Sequence, residues 1–215
     1  MSLVFRDVQV ELAGKRVLDL PELAVEPGRI TALLGDNGAG KTTLLHAAAG
    51  IVDLARGEIL LDGARFHRGR APAPKKLRQK TALVLQEPLL LSRQVERAVG
   101  FGLRARGVPR AARTERVGET LERLGLRHLA SRGDRELSGG ERRMAAFAAA
   151  VVLAPGLLLL DEVTSGLDDA AIERVEREIR ALSGAGTTVL LTTHQAEHAS
   201  RLAHRTIRLR GGRLV

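Results

Sequence analysis

Residues 35–42 read Gly35-Asp36-Asn37-Gly38-Ala39-Gly40-Lys41-Thr42, and no other stretch constrains the chain as much. They fit the G-x-x-x-x-G-K-[ST] phosphate-binding loop. An apolar β-type run, Ile30 to Leu34, leads in, and a helix-forming run, Thr43 to Ala49, leads out. Both flanks are what the motif requires, which a chance glycine turn followed by a lysine would lack. The three glycines let backbone N–H groups turn inward around a polyphosphate, and the helix N-terminus adds its partial positive charge. Lys41 is expected to reach the β- and γ-phosphates, and the Thr42 hydroxyl to sit on Mg²⁺, with Thr43 beside it in the first helical turn. This is the sequence of a nucleoside-triphosphate site.

The rest of the composition is that of an ordinary soluble protein: 215 residues, 44% hydrophobic and 27% charged. With no cysteine, neither a disulfide framework nor a cysteine metal site is possible, and a reducing cytosol fits. Asp7 and Glu11 break any signal-peptide pattern. The uncharged stretch Met144 to Leu160 approaches the length of a membrane span, but Pro155-Gly156 divides it, and it reads as core. The net charge of +9 is uneven: residues 65–80 carry seven Lys/Arg and no acid, and residues 93–143 carry thirteen Arg against seven acids. Interleaved aromatics for base stacking are missing, with four Phe and no Tyr or Trp, so the basic surface reads as solvated and not as a nucleic-acid site.

Val4 to Leu12 alternates as a strand, and Gly14-Lys15 marks a turn into a second strand around Val17 to Leu20. Glu58 to Leu61 reads as a strand ended by Asp62-Gly63, followed by a basic surface loop with Pro72 and Pro74, then a short strand, Thr81 to Leu85. From Ser92 to about Ala150 the texture is helical: Val95 to Arg106, Arg113 to Leu124, and a third helix from Gly139. Strand-like Leu157 to Leu160, helix-like Ala170 to Leu182 and strand-like Thr188 to Thr192 then alternate, and Gly211-Gly212 turns between two short final strands. The pattern predicts an α/β fold with a mainly parallel sheet and helices on both faces.

Leu157 to Leu160 is a buried strand that runs into Asp161 and Glu162. Ligands bind at the carboxyl ends of parallel strands, so both acids should face the phosphate loop. Asp161 is suited to hold Mg²⁺ through water, and Glu162 to act as general base on the attacking water. Ser138-Gly139-Gly140-Glu141, 97 residues after Lys41, is a helix start that reads both as an S-x-x-E capping box and as a second anion site. Gln86, after a strand, is a neutral ligand for Mg²⁺ or water, and His194, also after a strand, can hydrogen-bond a γ-phosphate.

Taken in order, Gly35 to Thr42, Gln86, Leu137 to Glu141, Leu157 to Glu162, Ser165 to Asp168 and His194 together resemble the ATP-binding subunit of an ABC transporter. The resemblance covers essentially the whole chain and implies one P-loop NTPase domain over residues 1–215. In it, residues 1–87 and 151–215 would form the nucleotide-binding α/β core with an N-terminal antiparallel β part, and residues 88–150 an inserted helical sub-domain that contacts a separate transmembrane permease subunit. It implies ATP and Mg²⁺ as cofactors. It further implies a head-to-tail homodimer, or a pair with a similar ATPase subunit, in which ATP lies between the phosphate loop of one chain and Ser138, Gly139 and Gly140 of the other. Asp168 would link the two sites, and His194 would support the γ-phosphate beside Glu162. Residues Gln86 to Gly107 are similar to importers of oxyanions such as tungstate or molybdate, which work with a solute-binding protein, and the implied location is the cytoplasmic face of the plasma membrane.

The sequence departs from that family at several places. Leu12 stands where an aromatic usually stacks on adenine, a contact worth about 1–3 kcal/mol, so weaker nucleotide affinity or base preference is expected. Val163 follows Asp-Glu where proline is usual, Met144 and Ala149 replace arginines of the signature helix, and His204 replaces a common Asp. A DNA-repair or chromosome-maintenance ATPase of the same type is the alternative reading. It would need a large insertion between phosphate loop and signature, and the spacing leaves room only for a small helical sub-domain. A ribosome-associated translation factor would need two such domains in one chain.

Overall fold

The computed structural model describes residues 1–71, 73–88, 90–92 and 94–215, so Pro72 of the expected basic loop lies outside the described residues. In chain order the strands are β1 (Leu3–Leu12), β2 (Lys15–Val25), β3 (Ile30–Leu34), β4 (Arg56–Leu61), β5 (Ala64–His67), β6 (Thr81–Val84), β7 (Leu157–Asp161), β8 (Thr188–Thr193), β9 (Arg205–Arg210) and β10 (Arg213–Leu214). The helices are α1 (Lys41–Ala48), α2 (Lys75–Arg78), α3 (Val95–Val99), α4 (Phe101–Ala105), α5 (Arg110–Arg123), α6 (Gly139–Val151), α7 (Asp169–Gly184) and α8 (Ala196–Leu202).

Two sheets result. An antiparallel sheet has the order β2-β1-β4-β5, and a six-stranded sheet has the order β10-β9-β3-β8-β7-β6, parallel except for β10. The expected fold class is therefore observed: a mainly parallel sheet with an antiparallel β part. The three central parallel strands, β3, β7 and β8, are buried on both faces, whereas the flanking β9 alternates buried and exposed residues. Along β7, Leu158 and Leu160 enter one core with α3 to α8, whereas Leu157 and Leu159 enter a second core with α1 and the antiparallel sheet. Ala32 and Leu33 of β3 divide the same way. Period-two alternation thus makes one strand the partition between two cores. The parallel pairing points the carboxyl ends of β6, β7, β8, β3 and β9 at the same edge.

Where local structure differs from the expectation, turn chemistry explains it. β4 ends at Leu61 as expected, but Asp62 and Gly63, with φ of 50° and 74°, form a two-residue hairpin turn and do not open a loop. It carries the chain into β5, so the basic residues after it begin an edge strand instead of a loop, and α2 follows within the same stretch. The first hairpin turns at Ala13-Gly14, one residue before the expected position, with φ of 49° and 75°. β2 continues through Pro21 because it is an edge strand, where a missing N–H disturbs no ladder. The helix expected from Val95 to Arg106 breaks at Gly100 into α3 and α4.

Helix α8, unforeseen in the sequence, packs Ala199 and Leu202 into the core immediately after the β8 edge. Behind it Glu176 is 4% exposed and shared by Arg180 at 3.2 Å, Arg201 and His198. His198 Nε2 lies 3.3 Å from the Glu176 carboxylate without hydrogen-bonding alignment, and its Nδ1 lies 3.4 Å from the Thr164 hydroxyl. Burial disfavours the imidazolium and pushes the His198 pKa below its ordinary value of 6.5, against the opposing pull of Glu176. The unfolded chain therefore takes the proton first. His198 leaves stability intact above about pH 6.5 and reduces it as pH falls below that value. Thermal melts from pH 7.5 to 5 are expected to show a steeper loss for the wild type than for His198→Gln; parallel curves would remove His198 from the acid sensitivity.

Candidate functional site

The phosphate loop follows directly from the β3 edge. Gly38 and Gly40 have φ of 80° and 100°, in the left-handed region that side chains rarely adopt, and Gly40 ends the loop as the N-cap of α1. Gly35 serves differently: the Leu209 carbonyl of β9 approaches so closely that no Cβ fits. Lys41 is 7% exposed and curls back over its own loop, donating to the Gly35 carbonyl at 2.7 Å and the Asp36 carbonyl at 3.2 Å. Its Nζ also lies 3.7 Å from Glu162 Oε1. The ammonium's three donors thus face two neutral carbonyls and one carboxylate, and an incoming anion can take the place of the neutral carbonyls.

Asp161, at the end of β7, is 2% exposed and accepts two hydrogen bonds. The Thr42 hydroxyl donates to Oδ2 at 2.8 Å and the Thr192 hydroxyl to Oδ1 at 2.6 Å. Thr192 in turn accepts from the Glu162 backbone N–H at 3.0 Å. This one hydroxyl therefore fixes both acids, and the sequence reading passed it over. Glu162 has φ of 46°, an uncommon conformation for a non-glycine residue and one that costs free energy unless its surroundings hold it. The bond from Glu162 to Thr192 supplies part of that restraint. His194 Nδ1 lies 3.4 Å from Glu162 Oε2, with the imidazole half exposed and the carboxylate 10% exposed.

Two adjoining cavities, of about 390 and 360 Å³, open along this edge. Asn37, Gln86 and Glu162 line both. The first adds Gly35, Asp36, His194 and Arg208, and the second adds Gly38 to Thr43 and Val17. The structure thus brings together the expected phosphate-loop residues, Gln86, Asp161, Glu162 and His194. Arg208 and Val17 join them without having been singled out in the sequence. Among the described residues no cluster of three or more His, Asp or Glu could cage a metal ion. The donor set instead suits an ion like Mg²⁺, which keeps several waters and takes one or two protein oxygens plus phosphate oxygens. Thr42 and Asp161 are such a pair.

Ser138, Gly139, Gly140 and Asp168 line neither cavity. Ser138 N donates to Glu141 Oε2 at 2.7 Å while Glu141 N donates to Ser138 Oγ at 3.2 Å, so the capping box exists and opens α6. The Ser138 N–H holds the Glu141 carboxyl below the usual range. Asp168 caps α7, accepting from Ala171 N at 2.7 Å. Within one chain the signature segment and Asp168 stand apart from the phosphate loop.

Replacing Thr192 by Val removes the bridging hydroxyl and leaves the Glu162 N–H and one Asp161 oxygen short of a partner. Unfolding in denaturant is expected to show a loss of about 1–3 kcal/mol, largely restored by Thr192→Ser. Equal midpoints for the Val variant and wild type would remove the bridge from the account.

A family model described as "ABC transporter" matches residues 18–165. The chain is 37% identical over 195 residues to the energy-coupling factor transporter ATP-binding protein EcfA of Methanothermobacter thermautotrophicus, covering 90% of this chain but only 62% of that protein. It is 32% identical over 215 residues to the tungstate uptake system ATP-binding protein TupC of Peptoclostridium acidaminophilum, covering 100% of this chain and 97% of that protein. A solved structure titled "Structure of ATP binding subunit of ABC transporter" superimposes with a TM-score of 0.89 at 27% identity, over 100% of this chain and 88% of the other. The matched span exceeds half the chain, the full-length likeness to TupC agrees with it, and the chain belongs to the ABC transporter family.

Proposed function

We propose that the chain is the ATP-hydrolysing subunit of an ABC importer, acting as a dimer around two ATP and driving a separate permease subunit in the membrane. The observation that carries this reading is the linked set Lys41, Thr42, Asp161, Glu162 and His194, joined by contacts of 2.8 to 3.7 Å along one sheet edge. When bound, Mg²⁺ supplies charge neutralisation at the β- and γ-phosphate oxygens, with Thr42, Asp161 and Gln86 as its holders. Lys41 exchanges the Gly35 and Asp36 carbonyls for phosphate oxygens. Glu162 accepts the proton of the attacking water, and His194 donates to the γ-phosphate from the same side. Residues 35–43 provide the backbone cradle.

Ser138, Gly139 and Gly140 present a capped, outward-facing helix start that suits the γ-phosphate of a partner chain's nucleotide, with Asp168 near the dimer seam. In this reading the permease is another chain and the subunit sits at the inner face of the plasma membrane; no helix among the described residues is long and apolar enough to cross a membrane. Residues 88–150 are the natural docking region. Where that region meets the core, an apolar groove lined by Leu85, Leu90, Phe101 and Leu153 runs into a cleft bearing Arg97, Arg104, Arg110 and Arg113. That cleft gathers four of the thirteen arginines of residues 93–143. The likeness to TupC, an ATP-binding protein of a tungstate uptake system, supports oxyanion import with a solute-binding protein.

Lys41→Ala is expected to abolish tight ATP binding. Glu162→Gln is expected to keep binding, lose turnover and dimerise with ATP and Mg²⁺, as read by light scattering after size exclusion. Turnover in Glu162→Gln equal to wild type would take the general-base role from Glu162. Leu12 is 45% exposed at the end of β1. Leu12→Tyr is expected to strengthen ATP binding by about 1–3 kcal/mol in titration calorimetry, the value of base stacking. An unchanged affinity would mean that adenine lies elsewhere.

A further inference from the structure

Arg143 lies on the second turn of α6, five residues beyond Ser138, and its half-buried side chain leaves the helix toward the sheet edge. Its Nη2 donates to the Gln86 carbonyl at 3.3 Å, and its Nη1 donates to the Ser165 carbonyl. These carbonyls belong to different loops. One follows β6 and carries Gln86, which lines both cavities; the other follows β7 and runs from Glu162 to Asp168. Ser165 N also donates to the Glu162 carbonyl at 3.0 Å, so the second contact sits one hydrogen bond from the proposed base. Room for the guanidinium is provided by Gly166, with φ of 70°, where a Cβ would stand 3.2 Å from Nη1. The Arg143 Nε is buried and finds no partner among the described residues, a cost accepted for a fork that spans two loops. Its neighbour Met144, which stands where the family commonly has arginine, is 3% exposed and wholly committed to the core.

We propose that Arg143 is a positioning residue that locks the start of α6 to both the Gln86 loop and the Ser165–Asp168 loop, so that the signature segment, Gln86 and Asp168 move as one unit. The proposal rests on the ATPase reading above. A planar guanidinium can hold two divergent carbonyls at once, whereas a lysine ammonium is a single point that can hold one well. Among the described residues the hydrogen bonds of Arg143 go to main-chain carbonyls and none to the phosphate loop, so its influence falls on the assembly of the two half-sites and not on capture of ATP by that loop.

The test compares wild type, Arg143→Ala, Arg143→Lys and the exposed control Arg135→Ala, using full chains. Three quantities are measured: fluorescent ATP-analogue binding, steady-state turnover, and thermal midpoint. Arg143→Ala is expected to bind the analogue within about twofold of wild type, with kcat reduced about tenfold or more, the size expected for losing charged hydrogen bonds. Arg143→Lys should fall between, with an unchanged midpoint, and Arg135→Ala should match wild type. In a Glu162→Gln background, Arg143→Ala should raise the ATP concentration needed for dimerisation. If Arg143→Ala proves unstable, Arg143→Lys decides alone, and a Lys variant with wild-type kcat overturns the proposal. Arg143→Ala with wild-type kcat and dimerisation overturns it equally. A wild type that binds no ATP would instead defeat the functional reading, and the proposal with it.

Discussion

The carboxylate of Asp161 is where the separate parts of the molecule meet. It is buried, it accepts from Thr42 at the start of α1 and from Thr192 near the end of β8, and it ends the strand that divides the two cores. A buried carboxylate with too few donors would destabilise the fold, so the hydroxyls at 42 and 192 are required by the strand that brings the charge inside. Once they are there, the phosphate loop, β7 and β8 are in register, and Glu162 is presented in a conformation it would not adopt alone. Structural need and chemical use therefore coincide in one hydrogen-bonded chain.

The departures from the family pattern divide by what replaces the lost group. His204 stands in for an aspartate, yet its Nδ1 accepts from the Ile30 N–H at 3.0 Å and its own N–H donates to the Ile30 carbonyl. An imidazole in the right tautomer offers the acceptor a carboxylate would, and the start of β3 stays anchored. Val163 is 4% exposed and simply fills core. Leu12 has no such substitute, because no other side chain in this chain carries the extended ring face of a tyrosine or tryptophan.

Much of this was legible in the sequence because the motifs couple residue type to strand and helix ends. A run of four leucines, set off by Pro155-Gly156 and running into Asp161, is short enough to read as a strand buried on both faces, and its carboxyl end then has a known direction. Thr192 was illegible for the opposite reason: a threonine near a strand end is ordinary, and its meaning comes from facing Asp161 across the β7–β8 ladder. Likewise β5 follows a turn that the sequence equally allows as a strand end, and only pairing with β4 decides between them. Arg143 lies in a run where arginine is common, so its reach to two loops is a property of packing alone. The separation of Ser138 to Gly140 from the phosphate loop was visible only as a spacing.

The strand order also has a temporal side. Strands β1, β2, β4 and β5, all within the first 67 residues, can pair as soon as they leave the ribosome. Strand β3 cannot. Its two neighbours are β8 and β9, which begin at residues 188 and 205, so its edges stay open while most of the chain is being made. Such distant pairing is slow and leaves apolar strands exposed. The phosphate loop hangs from that strand and acquires its final shape only when Leu209 arrives beside Gly35. A nascent chain would thus be able to pair its antiparallel strands early, yet complete the core beneath them and the cradle for nucleotide only when β7, β8 and β9 arrive, so truncation before β9 should yield a protein unresponsive to ATP.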